Sequence, residues 1–180
     1  MKTLLISTCH HALNDREFVF PISKILGDNR HDIMHFESCS AEILSSYSRI
    51  IICGTSMQDS TYIDWLPFFE EMLKNFTGPV LGICSGMQIL TSVFGSSSIV
   101  DNLEIGMIEV KTLEQNELFE GNFQAYSLHN FSSGVCDNFN ILAESKEGIQ
   151  AVKHVEKPLY GISFHPEVRN EQIITNFLLT

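Results

Sequence analysis

A single thiol bracketed by glycine constrains this chain more than any other feature. Cys84 follows the apolar run Pro79-Val80-Leu81, with Gly82 two residues before it and Gly86 two residues after. A strand and the helix that follows it approach closely at such a turn, so the flanking positions need residues without side chains. The pattern predicts a strand ending near Ile83, a sharp bend at Cys84 and a helix that begins at once. A thiol on that bend lies at a helix N-terminus, where unpaired backbone N–H groups and the helix dipole favour the thiolate. Most free cysteines are small buried apolar residues; the two glycines set Cys84 apart from that background.

A second motif supplies a base. In Tyr160-Gly161-Ile162-Ser163-Phe164-His165-Pro166-Glu167 an apolar strand runs into a histidine and a glutamate two residues apart. Residues two apart in extended backbone project to the same side, so the pair is expected to face one pocket. Pro166 fixes its own φ and keeps His165 out of helical geometry. A carboxylate bonded to one imidazole nitrogen selects the tautomer whose other nitrogen takes a proton from the thiol. Cys84, His165 and Glu167 therefore read as a catalytic triad.

These motifs resemble those of the class I (triad) glutamine amidotransferases, whose elbow reads G-x-C-x-G-x-Q and whose base motif reads H-P-E. Gly82, Cys84, Gly86 and Gln88 match the first pattern, and His165, Pro166 and Glu167 match the second in the family's order. Within that family the elbow is similar to the amidotransferase portion of GMP synthetase, with Ser85 in place of an aromatic residue. Glu104-Ile105-Gly106 echoes that group's downstream Glu-aromatic-Gly.

The resemblance implies a glutaminase that forms a γ-glutamyl thioester, and a separate ATP-dependent synthetase that receives the ammonia. It implies no cofactor and no metal. It also implies that the Gln88 side chain helps hold the substrate glutamine, and that the segment around His129 contacts the substrate α-carboxylate through its backbone. From the residues alone, Gln88 could equally be a surface glutamine on a helix and His129 an exposed turn residue.

One segment departs from the family. The loop after the third strand usually reads Gly-Gly-Pro, whereas this chain has Gly54-Thr55-Ser56. Amide hydrolysis passes through an oxyanion that needs two preorganised donors. The backbone N–H groups of Thr55 and Ser85, with Gly54 beside them, are the expected oxyanion hole. Thr55 or Ser56 could instead be an ordinary loop residue capping the next helix.

The rest of the chain reads as alternating strands and helices. Short apolar runs at 4–8, 33–36, 50–53 and 80–83 suit strands buried in a parallel sheet. Trp65, Phe68, Phe69, Met72, Leu73 and Phe76 recur at helical spacing, with Asp64 as the expected N-cap and Gly78-Pro79 as the stop. Met87, Leu90 and Phe94 line the helix after the elbow, and Ile173, Ile174, Phe177 and Leu178 a final one. From 99 to 164 the signals are mostly strands. Gly95-Ser96-Ser97-Ser98 is linker-like but too short to separate domains.

The expected fold is one α/β domain over 1–180. It is a three-layer, mostly parallel open sheet of the flavodoxin-like class I amidotransferase type, with helices on both faces and an added antiparallel region in the C-terminal half. Open sheets of this kind bind ligands beyond the carboxyl ends of their strands, which places Gly54, Thr55 and Cys84 on one rim.

A chain of 180 residues can bury one substantial core. Its formal charge of −11 argues against a nucleic-acid or anionic-membrane partner. Cys9, Cys39, Cys53, Cys84 and Cys136 show no paired metal spacing and suit reduced thiols in a cytoplasmic protein. No P-loop pattern is present, so nucleotide chemistry would fall to another polypeptide. Two further readings stay open: a stand-alone thiol hydrolase of γ-glutamyl compounds or peptides, and a non-catalytic binding or regulatory module.

Overall fold

A computed structural model describes residues 1–95, 99–134 and 137–180. The linker-like serines after Gly95, and Cys136, lie outside the described residues. The first half alternates strand and helix: β1 (Thr3–Ser7), α1 (Asp15–Phe18), α2 (Phe20–Leu26), β2 (His31–His35), α3 (Ala41–Leu44), β3 (Arg49–Ile52), α4 (Thr61–Asp64), α5 (Leu66–Lys74), β4 (Val80–Ile83) and α6 (Ser85–Gly95). Strands then dominate, with β5 (Ile99–Thr112), β6 (Phe123–Ser133), β7 (Phe139–Glu144), β8 (Ile149–His154) and β9 (Leu159–Ile162), before α7 (Gln172–Phe177).

The strands join in the order β2-β1-β3-β4-β9-β8-β7-β5-β6. β2, β1, β3, β4 and β9 run parallel. From β9 outward every pairing is antiparallel. The sheet is thus mixed, with the parallel half that the apolar runs predict and the antiparallel extension expected of the C-terminal half.

Alternation explains how the parallel half is filled. Leu5, Ile51, Leu81, Tyr160 and Ile162 point to one face, where Val19, Ile22 and Leu26 meet Ile173, Ile174 and Phe177 of α7. Leu4, Ile6, Ile50, Ile52, Val80 and Leu159 point to the other, against Phe69, Met72 and Leu73 of α5 and Met87 and Leu90 of α6. Both faces are covered, so these strands are continuous apolar runs rather than alternating ones. Each large apolar side chain buried in this way contributes roughly 1.5–3 kcal/mol.

Two local expectations are corrected. The second strand is not buried on both faces: β2 is the sheet's edge, its residues are half-covered and Ile33 is exposed. The helix expected from Trp65 does not take Asp64 as its cap. Asp64 ends α4, Trp65 occupies the N-cap position of α5 without a side-chain cap bond, and the chain restarts there. Pro67 is the physical reason, because a residue lacking an N–H suits the first turn of a helix and not its interior.

Candidate active site

The elbow is built as the glycine pattern requires. β4 ends at Ile83, Cys84 adopts φ +52°, and α6 starts at Ser85. A non-glycine residue in the left-handed region costs of order 1–3 kcal/mol and persists only where its surroundings hold it there. The Cys84 N–H donates to the Ile162 carbonyl at 2.8 Å, and the Gln88 N–H donates to the Cys84 carbonyl at 3.2 Å. Neither glycine could carry a side chain. A Cβ on Gly82 would lie 2.4 Å from the Gly86 carbonyl, and one on Gly86 would lie 2.4 Å from the Ile52 carbonyl.

Cys84 meets His165 at Gly54. A Cβ placed on Gly54 would sit 3.3 Å from Cys84 Cβ and 2.9 Å from His165 Cε1, so the space of one absent side chain holds the two residues together. His165 Nδ1 donates to Glu167 Oε1 at 2.7 Å, and both side chains are buried. The backbone N–H of His165 donates to the Tyr126 carbonyl at 2.8 Å, which ties the histidine to β6.

The pairing of His165 with Glu167 does not arise from strand alternation. β9 ends at Ile162, and residues 166–168 form a turn in which the Val168 N–H donates back to the His165 carbonyl at 3.2 Å. The turn, not an extended pleat, folds the carboxylate onto the ring.

Burial alone would push the His165 imidazole towards its neutral form. The negative charges of Glu167 and of a Cys84 thiolate outweigh it and hold the ring well above its usual range. Its Nε2 has no hydrogen-bond partner at full geometry among the described residues, leaving it available to the thiol or to a substrate atom. The arrangement can therefore hold a thiolate–imidazolium pair, with a carboxylate fixing the ring.

The loops that would form the oxyanion hole are knotted together. Thr8 Oγ1 donates to the Cys53 carbonyl at 3.0 Å and lies 3.0 Å from Ser85 Oγ, which itself donates to Cys53 at 3.3 Å. Thr55 is buried, and its hydroxyl donates to Asp59 Oδ2 at 2.8 Å. Its N–H enters no backbone hydrogen bond among the described residues.

Gln88 and His129 are placed differently from each other and from their residue-level alternatives. Gln88 is not a surface glutamine: it is buried, its Nε2 donates to the Phe131 carbonyl at 2.9 Å, and its Oε1 accepts from Tyr62. It braces α6 against α4 and β6. His129 is not an exposed turn residue. It lies buried on β6, with Nδ1 donating to the Asn102 carbonyl at 3.1 Å and Nε2 3.4 Å from Glu104. Its ring is turned towards Glu104. The backbone beside it does reach the elbow, where Cys84 Sγ lies 3.8 Å from the Leu128 carbonyl.

Glu104 gathers that buried cluster by accepting from Ser127, Ser145 and Gln150 at 2.9–3.0 Å. Burial pushes its carboxyl up, but His129 and the two serines prevail and hold it below its ordinary value.

Residue patterns do not single out Asp59, Thr8 or Tyr62. Asp59 carries a local signal, since an aspartate followed by Ser-Thr before a helical run is a frequent side-chain-to-backbone tether. A cavity of about 620 Å³ opens over this rim, lined by His10, His11, Met57, Asp59 and Leu128 among others. A larger cleft of about 1060 Å³ lies between the β5–β6 ribbon and the turn before β8, and no member of the expected triad lines it.

Known proteins carry the same sequence pattern and architecture. The profile of the family described as Glutamine amidotransferase class-I matches residues 23–179. The chain is 39% identical over 118 residues to the glutamine-hydrolysing subunit of GMP synthase from Methanosphaera stadtmanae, covering 60% of this chain and 63% of that one. Its identity to the corresponding GMP synthase subunit from Pyrococcus abyssi is 36% over 121 residues, covering 60% and 64%. The matches thus span somewhat less than two thirds of those relatives.

Among solved structures, a GMP synthase subunit from Thermoplasma acidophilum superposes with a TM-score of 0.85. It is 21% identical, and the match covers 99% of this chain and 92% of that one. A glutamine amidotransferase from Thermotoga maritima gives 0.72 at 21% identity, covering 93% and 76%. At that identity the likeness is one of fold. With the profile spanning most of its length, the chain belongs to the class-I glutamine amidotransferase family.

Proposed function

We propose that the chain hydrolyses the side-chain amide of glutamine and delivers the ammonia to a separate synthetase, in the manner of a GMP synthase. The observation that carries this reading is the 2.7 Å bond from His165 to Glu167 beside a thiol in left-handed backbone geometry at Cys84. Cys84 thiolate attacks the amide carbon, and the oxyanion that forms is held by the N–H groups of Thr55 and Ser85. His165 imidazolium gives its proton to the departing nitrogen, and the C–N bond breaks to leave ammonia and a γ-glutamyl thioester. The now neutral His165 takes a proton from water as the oxygen adds to the thioester. Collapse expels Cys84 as thiolate, restores the imidazolium and frees glutamate.

Ammonia released into water at neutral pH is quickly protonated and ceases to be a nucleophile, so its consumer must cover the mouth of the site. The face beside the mouth suits such a partner. Leu103, Ile105 and Met107 are exposed on β5, and Ile105 pairs with Leu128 at the rim. We assign this apolar ridge to the synthetase, an ATP-dependent enzyme whose facing surface is apolar with a basic rim, given the acidic charge of this chain.

The reading is tested by incubating the protein with a diazo-ketone analogue of glutamine and mapping the adduct by mass spectrometry. Labelling at Cys84, blocked by excess glutamine, is expected. Labelling at another cysteine, or none with the synthetase present, counts against it.

A further inference from the structure

The Gly54-Thr55-Ser56 loop lacks the second glycine and the proline that its family resemblance leads one to expect, and a carboxylate stands where it can compensate. We infer that Asp59 is a positioning residue for amide cleavage, clamping Thr55 so that its backbone N–H is held towards the reacting centre. The inference rests on the glutaminase reading above.

Asp59 is buried, and four donors converge on its two oxygens. Oδ2 takes the Thr55 hydroxyl at 2.8 Å and the backbone N–H of His10; Oδ1 takes the Thr61 hydroxyl at 2.7 Å and the Thr61 N–H at 3.4 Å. An ionised carboxylate offers about four acceptor sites and no donor. Every donor it meets here can thus be satisfied only while it is charged. The hydrogen bonds tie three segments together: the loop after β1, the loop after β3 and the start of α4.

The clamp has a counterpart on the other donor. Ser85 is fixed through its hydroxyl by Thr8 and the Cys53 carbonyl, as Thr55 is fixed through its hydroxyl by Asp59. Both tethers end on the loop after β1, one at Thr8 and one at His10. A glycine at 55 has no hydroxyl to clamp. The threonine is what makes this second anchor possible, and the departure from Gly-Gly-Pro becomes a different solution to the same positional demand.

The test uses the full chain and two measurements, glutamine hydrolysis and stoichiometric alkylation of Cys84 by the diazo-ketone analogue. Rates are expressed per labelled site, so a loss of folded protein does not register as a loss of kcat. Asp59→Asn keeps the shape but turns an amide N–H₂ towards donors, and Thr55→Val removes the hydroxyl alone. Each is expected to lower kcat by roughly 10- to 100-fold, below the full loss of an oxyanion donor, with KM within about threefold of wild type. Since both break one link, the double variant should be no slower than the slower single variant.

Unchanged kcat in Asp59→Asn, or losses that multiply in the double variant, would overturn the clamp. Should Asp59→Asn fail to fold, Thr55→Val decides the matter, and an unchanged kcat there overturns it equally. A wild-type chain that neither hydrolyses glutamine nor labels at Cys84 overturns the glutaminase reading and the clamp's role with it. A fast wild type with an equally fast variant overturns the clamp alone.

Discussion

Gly54 backs directly onto His165, leaving 2.9 Å between the ring's Cε1 and the point a methyl group would occupy. That distance is shorter than side-chain Cβ atoms tolerate, and Cys84 closes the other side at 3.3 Å. Gly54→Ala must therefore displace the imidazole or the loop. A misplacement near 1 Å costs roughly 100-fold in rate, so glutamine turnover should fall by about that factor while the chain stays folded. Steady-state kinetics with a melting curve on the same sample checks it, and an active Ala variant would refute the contact.

Glu167→Gln removes the charge that keeps His165 protonated. The wild-type ring has its affinity for protons raised in the folded state, so its contribution to stability is complete below the unfolded value near 6.5. That contribution fades as pH climbs through the higher folded value. The stability gap between wild type and Glu167→Gln should therefore be widest around pH 6 and narrow on the alkaline side. Melting temperatures across that range test it; a gap that widens with pH would contradict the sign.

Tyr62→Phe leaves the Gln88 carbonyl oxygen buried without its donor. Such an orphaned group costs about 1–3 kcal/mol. Denaturant titration should show a loss of that size with an unchanged slope. Gln88 also braces the elbow helix to β6, so the rate of Cys84 alkylation is expected to fall too. A neutral effect on both would mean that the bond carries little.

Ile105→Lys puts a charge on the exposed ridge beside the mouth, away from every group that handles the amide. Glutaminase activity of the isolated chain should be unaffected. Stimulation by the synthetase, and amination driven by glutamine, should drop at least roughly tenfold, as for a lost hot-spot contact. Amination driven by added ammonium salts should persist. Full glutamine-driven activity in this variant would place the partner elsewhere.

Much of the framework is legible in the sequence because it is local. Gly82, Cys84 and Gly86 announce a bend by the space that a bend denies them, and the apolar runs of β1, β3 and β4 announce burial on both faces. What escapes is tertiary. Nothing near His10 or Thr8 says that their loop will anchor residues some 45 to 77 positions away. The meeting of His165 with Glu167 is expected from the motif, but by the wrong geometry, because a turn after β9 is invisible when the apolar run is extended through Phe164. Pro67 is equally local, yet its effect is masked by the strong aromatic periodicity around it. His129 offers two local readings, and only the packing of β6 against β5 decides that its ring is interior.

The torsion at Cys84 sets a limit on how this thiol can be replaced. Serine or alanine inherits the same unfavourable backbone and surrenders the chemistry; glycine alone relaxes the bend. The chain thus keeps its reactive sulfur at a conformational expense that only an inert variant escapes, and robustness gained at this one residue would come paired with silence.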